Sequence, residues 1–335
     1  MEININLIIL ILIINLFFFR FNTFFADNLK LYDKPDFKRK IHRNSVPLTG
    51  GIYFFINFLL ITLLFNLDYF ENLNLGFENK REFVGFVFLV SGVFFLGLYD
   101  DRFDIKPYSK LFLLTIVILI SILIDEDLIV TELNFNLNEI NINLYKLSIP
   151  LTILFFLLFL NAINMFDGID MQVLIYFLII ILFLFLNFKL LYFVYFLPVV
   201  IISSYFNIKK KLFLGDSGTY VIGILISWLI IKKYNLNDIF NCEEIFLIMA
   251  LPGFDMFRLF CVRIIKGKNP FKPDNNHIHH LLMTKMNYIK TFVFIQSLIL
   301  IPFTFYYLSE KIVQSIVLLL ILYVSSLIFI FLKKI

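Results

Sequence analysis

Long apolar runs separated by short polar segments fill this chain from one end to the other. A helix that crosses a bilayer needs about 20 mostly apolar residues. Eleven runs approach that length, beginning near Ile3, Gly51, Phe83, Leu111, Ser148, Met171, Leu190, Gly218, Ile245, Thr291 and Ile312. One segment departs from the helical rule. Over residues 129–144 apolar and polar positions alternate with period two, which predicts a short β-hairpin. The pattern predicts an all-α polytopic membrane protein with about 11 transmembrane helices, and a single domain over residues 1–335.

Composition removes the soluble alternatives. Of the 335 residues 60% are hydrophobic, 19% aromatic and 16% charged, and the mean hydropathy is +0.89. Soluble domains run about 45–50% apolar and about 25% charged, so a chain with 45 Phe and 25 acidic residues cannot cover a globule of this size with polar surface. Cys242 and Cys261 form no CxxC or Cys/His pattern and read as free thiols.

Charge then sets the orientation. Met1-Glu2 precedes the first run and Arg20 follows it, the reverse of a signal peptide's basic start. A retained first helix with its N-terminus outside puts 20–50, 99–110, 161–171, 207–217, 263–290 and the C-terminal tail inside. Those segments hold 21 of the 29 Lys and Arg. Such an excess is what the positive-inside rule demands, and it places the C-terminus in the cytoplasm and the hairpin in the periplasm.

Almost all of the unusual polar groups fall on the same inside face. Asp100-Asp101 closes the third run, and Asn161, Asn164, Asp167 and Asp170 follow the fifth. Asp216 precedes the eighth run, and His277, His279 and His280 follow the ninth. Asp255 lies within a run, with Arg258 three residues on, a spacing that suits a structural ion pair and a functional role equally. Each cluster also has a plainer reading. Paired aspartates end helices in water, Asn164, Asp167 and Asp170 at intervals of three share a helix face, and one of these aspartates can cap a helix. Gly215 and Gly218 around Asp216 suit a turn, or let a phosphate reach backbone N–H groups at a helix start. The histidines lack a fourth zinc ligand at suitable spacing, whereas carboxylates with Asn are hard oxygen donors suited to Mg²⁺. The basic run around Lys40 is a positive-inside anchor or attracts anionic lipid heads or a nucleotide. Oxygen donors, basic surroundings and a membrane face together point to phosphoryl transfer between a soluble anion and a lipid phosphate. No nucleic-acid partner is expected.

Five segments then match a known family in order and spacing: DKPDFKRKIHRNSVPLTGGI (33–52), GLYDDRFDIKPYSKL (97–111), NAINMFDGIDM (161–171), FLGDSGTY (213–220) and RIIKGKNPFKPDNNHIHHLLM (263–283). The chain resembles the polyprenyl-phosphate N-acetylhexosamine-1-phosphate transferases of glycosyltransferase family 4, and within them the WecA-like branch. The resemblance implies transfer of a sugar-1-phosphate, GlcNAc-1-phosphate foremost, from a UDP-N-acetylhexosamine to undecaprenyl phosphate. UMP is released and Mg²⁺ is required, with Mn²⁺ as a substitute. It further implies an inner-membrane enzyme with a cytoplasmic active site that starts a surface glycan such as O-antigen, and it leaves a homodimer open.

Residue by residue, the resemblance assigns Asp216 and Asn164 to the metal and Asp100 and Asp101 to the lipid phosphate, one of them as a candidate base. Asp167 and Asp170 fall on the nucleotide side. Phe213 matches an aromatic that stacks on uracil, and Asn207 a uridine-binding Asn. Arg263, His277, His279 and His280 match sugar and pyrophosphate contacts, and Lys40 joins the substrate-binding basic groups. One departure stands out, since Met171-Gln172 replaces the Gly-Leu that follows the motif in the family. The HIHH form differs from the three adjacent histidines of the phospho-N-acetylmuramoyl-pentapeptide transferases, the same-class alternative. A transporter of anionic substrates is the alternative of another class, and it is disfavoured because such proteins place polar sites near the midplane.

Overall fold

The computed structural model describes residues 5–35, 44–66, 77, 80–136, 139–189, 192–236, 240–271, 274 and 276–332. In chain order the helices are α1 (Ile5–Phe19), α2 (Asn22–Leu29), α3 (Gly50–Asn66), α4 (Lys80–Phe103), α5 (Pro107–Ile124), α6 (Ser148–Phe166) and α7 (Gln172–Phe188). They continue with α8 (Leu197–Ile208), α9 (Gly215–Asn235), α10 (Cys242–Ile265), α11 (Ile278–Met283), α12 (Tyr288–Ser309) and α13 (Ile312–Leu332). Strands β1 (Tyr32–Asp33) and β2 (Val46–Pro47) pair antiparallel, as do β3 (Glu132–Phe135) and β4 (Ile140–Asn143).

The protein is a multi-pass helical membrane protein. Among the described residues six helices are long and apolar enough to cross a bilayer: α4, α5, α6 with the turn before it, α10, α12 and α13. The bent pair α1–α2, with 55° between its halves, makes a seventh if taken as one span. All eleven apolar runs fold as helices. The runs at Gly51, Met171 and Leu190 give shorter apolar helices.

The chain divides into two compact units. The first comprises residues 1–129 and 188–229, the second 130–187 and 230–335. In the first, Phe86 stacks on Trp228 with centroids 3.9 Å apart, and Phe55 on Phe94 at 4.0 Å. Asn15 and Asn57, both buried, exchange two hydrogen bonds of 2.8 Å between α1 and α3. Such an amide pair links apolar helices where hydrophobicity gives no preference for one neighbour over another.

In the second unit α10 packs on α6 and α13, and α12 on α13. Pro252 inside α10 cannot donate to the carbonyl of Ile248. The hydroxyl of Tyr176 on α7 supplies that bond at 2.5 Å. The β3–β4 pair is fastened by Tyr234, whose hydroxyl accepts from Asn134 N–H (2.6 Å) and donates to Glu132 O (2.9 Å).

Candidate functional site

Each unit holds one polar cluster, built from the segments that the sequence singles out. In the first unit the chain brings α3, α4 and α9 together at backbone distance. Gly50 and Gly51 N–H donate to the carbonyls of Phe213 and Leu214 at 2.9 and 3.1 Å. A Cβ on Gly97 would lie 2.5 Å from Ser217 Cα, so only glycine admits this crossing of α4 over the start of α9. Gly215 opens α9 with φ +67°, a conformation that glycine adopts without steric cost.

This approach sets Asp101 against the α9 N-terminus. One carboxylate oxygen accepts Asp216 N–H at 2.6 Å, and the other accepts Ser217 N–H at 3.1 Å and Ser217 Oγ–H at 2.6 Å. The first N–H groups of a helix have no partner inside it, and they favour negative charge. Asp101 supplies both needs. The N–H groups expected to be open to a phosphate are therefore already taken at Asp216 and Ser217.

Asp100 behaves differently. Its carboxylate accepts Ile105 N–H and Lys110 Nζ, both at 2.6 Å. The ammonium of Lys110, on the first turn of α5, also pairs with Asp216 and lies 5.1 Å from the centre of the Tyr220 ring. Asp216 keeps 30% of its side chain exposed, against 9% for Asp100. Lys110 is a site residue that sequence reasoning missed. Its signal was a lysine at the start of an apolar helix, where the helix dipole disfavours a cation.

The donor set fits Mg²⁺. Among the described residues no three His, Cys, Asp or Glu side chains converge on a metal position. Mg²⁺ does not need such a cage, because it binds through one or two carboxylates, retained waters and substrate phosphates. The half-exposed Asp216 carboxylate is an oxygen donor of that kind. Beside it, Phe213 is half-exposed, with Lys210 Nζ 5.5 Å from its ring centre. Asn207 is buried and its Nδ2 donates to Leu212 O at 3.1 Å, which shapes the turn leading to Phe213. Lys40 lies outside the described residues.

In the second unit the helix-face reading of Asn164, Asp167 and Asp170 fails, because α6 ends at Phe166. Asn164 is on the last helical turn, and its buried Nδ2 has no hydrogen-bond partner among the described residues. Asp167 is the exposed residue that ends the helix, and Asp170 follows in the turn. Asp170 is held by Tyr288, whose hydroxyl donates to Oδ2 at 2.9 Å.

The turn closes at Met171 with φ +62°. Glycine belongs at such a position, and a side chain there costs about 1–2 kcal/mol. The family's Gly thus has a backbone reason at the point where this chain departs from it. Met171→Gly is expected to raise the melting temperature by about 1–2 °C, with the gain limited by the greater freedom glycine gives the unfolded chain. Calorimetry in detergent checks it, and a fall would mean that the contacts of the Met171 side chain outweigh the strain.

The turn meets the histidines. A Cβ on Gly168 would run into the His279 ring, which therefore lies directly against the glycine. His277 and His279 stack with centroids 5.3 Å apart and planes 8° from parallel, and His280 is 4.3 Å from His279. Arg263 is spent on its own loop, contrary to a free substrate contact. Its guanidinium donates to both Asp274 oxygens at 3.1 and 3.2 Å and to Pro270 O at 2.7 Å. Burial alone would raise the Asp274 carboxyl, but hydrogen bonds from Arg263 and Asn276 outweigh it and hold the group well below the usual carboxylate range.

Burial pushes the His279 imidazole well below the ordinary histidine range, and His280 and His277 push it the same way. Above the unfolded-state value of about 6.5 both states are neutral and the shift has no effect on stability. As pH falls below it, the unfolded chain takes up a proton that the folded chain refuses, and stability is lost. Melting temperature is expected to drop between about pH 7 and about pH 5, and to drop less in His279→Gln. Equal slopes would remove His279 as the cause.

Comparison with known proteins finds a family match over the middle of the chain, which includes Asp100, Asp101, Asn164 and Asp216 and stops short of the histidines. The model of "Glycosyl transferase family 4" matches residues 83–233. Curated relatives carry the name undecaprenyl-phosphate alpha-N-acetylglucosaminyl 1-phosphate transferase. The Pasteurella multocida protein is 28% identical over 272 residues, 77% of this chain and 72% of its own. The Yersinia pestis protein is 27% identical over 277 residues, covering 77% and 71%. The Escherichia coli K12 protein is 28% identical over 294 residues, covering 83% and 76%.

Proposed function

We propose that this chain, similar to glycosyl transferase family 4 over residues 83–233, transfers GlcNAc-1-phosphate from UDP-GlcNAc to undecaprenyl phosphate, releasing UMP. The whole chain, 1–335, acts as one transferase domain of the inner membrane. In this reading all eleven helical runs cross or enter the bilayer, with the N-terminus outside and the C-terminus in the cytoplasm. The supporting observation is the Lys and Arg excess on alternate loops. The same assignment puts the β3–β4 pair in the periplasm and both polar clusters at the cytoplasmic face, where a nucleotide sugar arrives. The product starts a surface glycan.

The observation that carries the reading is the set of carboxylates around Lys110, with one of them, Asp216, left half-open. A lipid phosphate oxygen attacks the sugar-proximal phosphorus in line. A new P–O bond forms there as the bond to the UMP oxygen breaks, and UMP departs with the electron pair. At neutral pH the acceptor phosphate is already mostly ionised, since its second pKa is about 6, so no side chain has to remove a proton. Asp100 holds Lys110 in place, and the Lys110 ammonium offers positive charge to the phosphates. Phe213 presents a ring face to the uracil, and the histidines receive the pyrophosphate and sugar. Asp216 would hold Mg²⁺, which when bound neutralises pyrophosphate charge.

The test is UMP release by detergent-purified protein given undecaprenyl phosphate, Mg²⁺ and UDP-GlcNAc, beside UDP-GalNAc and UDP-MurNAc-pentapeptide. UMP and a new lipid-linked sugar from UDP-GlcNAc, both lost with EDTA, are expected. Acceptance of the pentapeptide donor alone would replace the reading with the peptidoglycan enzyme. Silence with every donor from folded protein would end it.

A further inference from the structure

The transferase reading makes no use of Asp255, an almost fully buried carboxylate inside α10. Its surroundings are more elaborate than a charge neutralised by its neighbour requires. Oδ1 accepts Arg258 Nη2 at 2.7 Å and the backbone N–H of Ile278 at 3.1 Å. Oδ2 is 3.0 Å from His277 Nδ1. The guanidinium of Arg258 donates in turn to Asn276 O at 2.6 Å, and its Nε donates to the Tyr323 hydroxyl on α13 at 3.2 Å. An ion pair between Asp255 and Arg258 needs none of the other bonds. Together they fix three consecutive residues, Asn276, His277 and Ile278, from two helices, α10 and α13.

The chemistry of the contact selects a tautomer. A carboxylate paired with a guanidinium can only accept, so Nδ1 of His277 carries the proton it gives to Oδ2. Nε2, on the opposite side of the ring, is then the nitrogen offered to a ligand, where it donates to a phosphate oxygen when it too carries a proton, and the ring's direction is set by the same bond. The stack of His277 on His279 fixes the remaining rotation.

We propose that Asp255, braced by Arg258 and Tyr323, is a positioning residue for the transfer reaction, holding His277 with Nδ1 protonated and Nε2 toward the phosphates of the nucleotide-sugar donor. The proposal rests on the reading above, in which His277 touches the donor.

A double-mutant cycle on the full-length protein, read by UMP release, tests it. Asp255→Asn puts an amide where the acceptor oxygen was and lets the ring turn or change tautomer. It is expected to lower kcat/KM for UDP-GlcNAc by about 100-fold, the scale of a misplaced contact group, while KM for undecaprenyl phosphate stays unchanged. In a His277→Ala background the same change is expected to have little further effect. Tyr323→Phe removes one hydroxyl and keeps the ring packed on Phe254. It should show a smaller loss with the same dependence on His277, and it carries the cycle if Asp255→Asn does not fold.

Full activity of both variants would overturn the proposal while leaving the transferase reading intact. So would losses that persist undiminished without His277, which would mark Asp255 as a structural group only. If the unmutated protein releases no UMP from any donor, the transferase reading fails, and the positioning role fails with it.

Discussion

Replacing Asp216 by Ala is expected to abolish turnover and leave a folded protein in the membrane. The two halves of this result come from different atoms. The backbone N–H of Asp216 is bound to Asp101 and remains so whatever side chain follows. Lys110 loses one carboxylate but keeps Asp100 at 2.6 Å. The fold therefore keeps its connections. The chemistry loses the more exposed of the two carboxylates on Lys110, and with it the means to hold a divalent cation against the pyrophosphate. Loss of one preorganised charge-stabilising group costs about 10²–10³-fold, and loss of a metal costs several kcal/mol of barrier. A fall of at least about 10³-fold in kcat is expected. Mg²⁺ should raise the melting temperature of the unmutated protein and leave that of Asp216→Ala unmoved. Activity retained at saturating Mg²⁺ would remove the metal assignment.

The membrane class, the helical runs and the acidic and histidine clusters were legible in the sequence, because bilayer thickness and helix pitch impose a period that single residues cannot hide. What each polar residue does was less legible, because function there depends on partners far away in the chain. Asp100 and Asp101 are adjacent and look equivalent. Yet the side chain of one faces Lys110, while that of the next faces a helix 115 residues on. Arg263 reads as a phosphate contact but closes on Asp274, eleven residues later. The even helical spacing of Asn164, Asp167 and Asp170 promised one face, whereas the Gly168 turn ends the helix between the first two.

Some departures have a local cause that a closer reading of backbone chemistry finds. Met171 marks a left-handed turn where the family's Gly is conformationally free. Asp255 offered only its spacing to Arg258, and its tie to His277 crosses 22 residues. Periodicity finds the helices, and it cannot say which polar side chains meet at their ends.

The clearest consequence is a split between the paired aspartates. Asp101→Ala is expected to cost folding, and Asp100→Ala to cost activity. Removing the Asp101 carboxylate strands two backbone N–H groups and the Ser217 hydroxyl at a helix end packed against Gly97 and Gly51. Each buried donor left without an acceptor costs about 1–3 kcal/mol, against a total stability of about 5–15 kcal/mol. Low yield and an early-melting or aggregated protein should follow. Asp101→Asn retains one acceptor oxygen but turns an NH₂ toward donors, and its loss should be smaller, about 1–3 kcal/mol. Asp100→Ala frees Ile105 N–H but leaves Lys110 paired with Asp216, so its melting temperature should stay near that of the unmutated protein while UMP release falls. Melting curves beside turnover for the three variants decide the matter. If Asp101→Ala melts like the unmutated protein and is merely inactive, its carboxylate serves the lipid phosphate, and the α9 N-terminus holds without it.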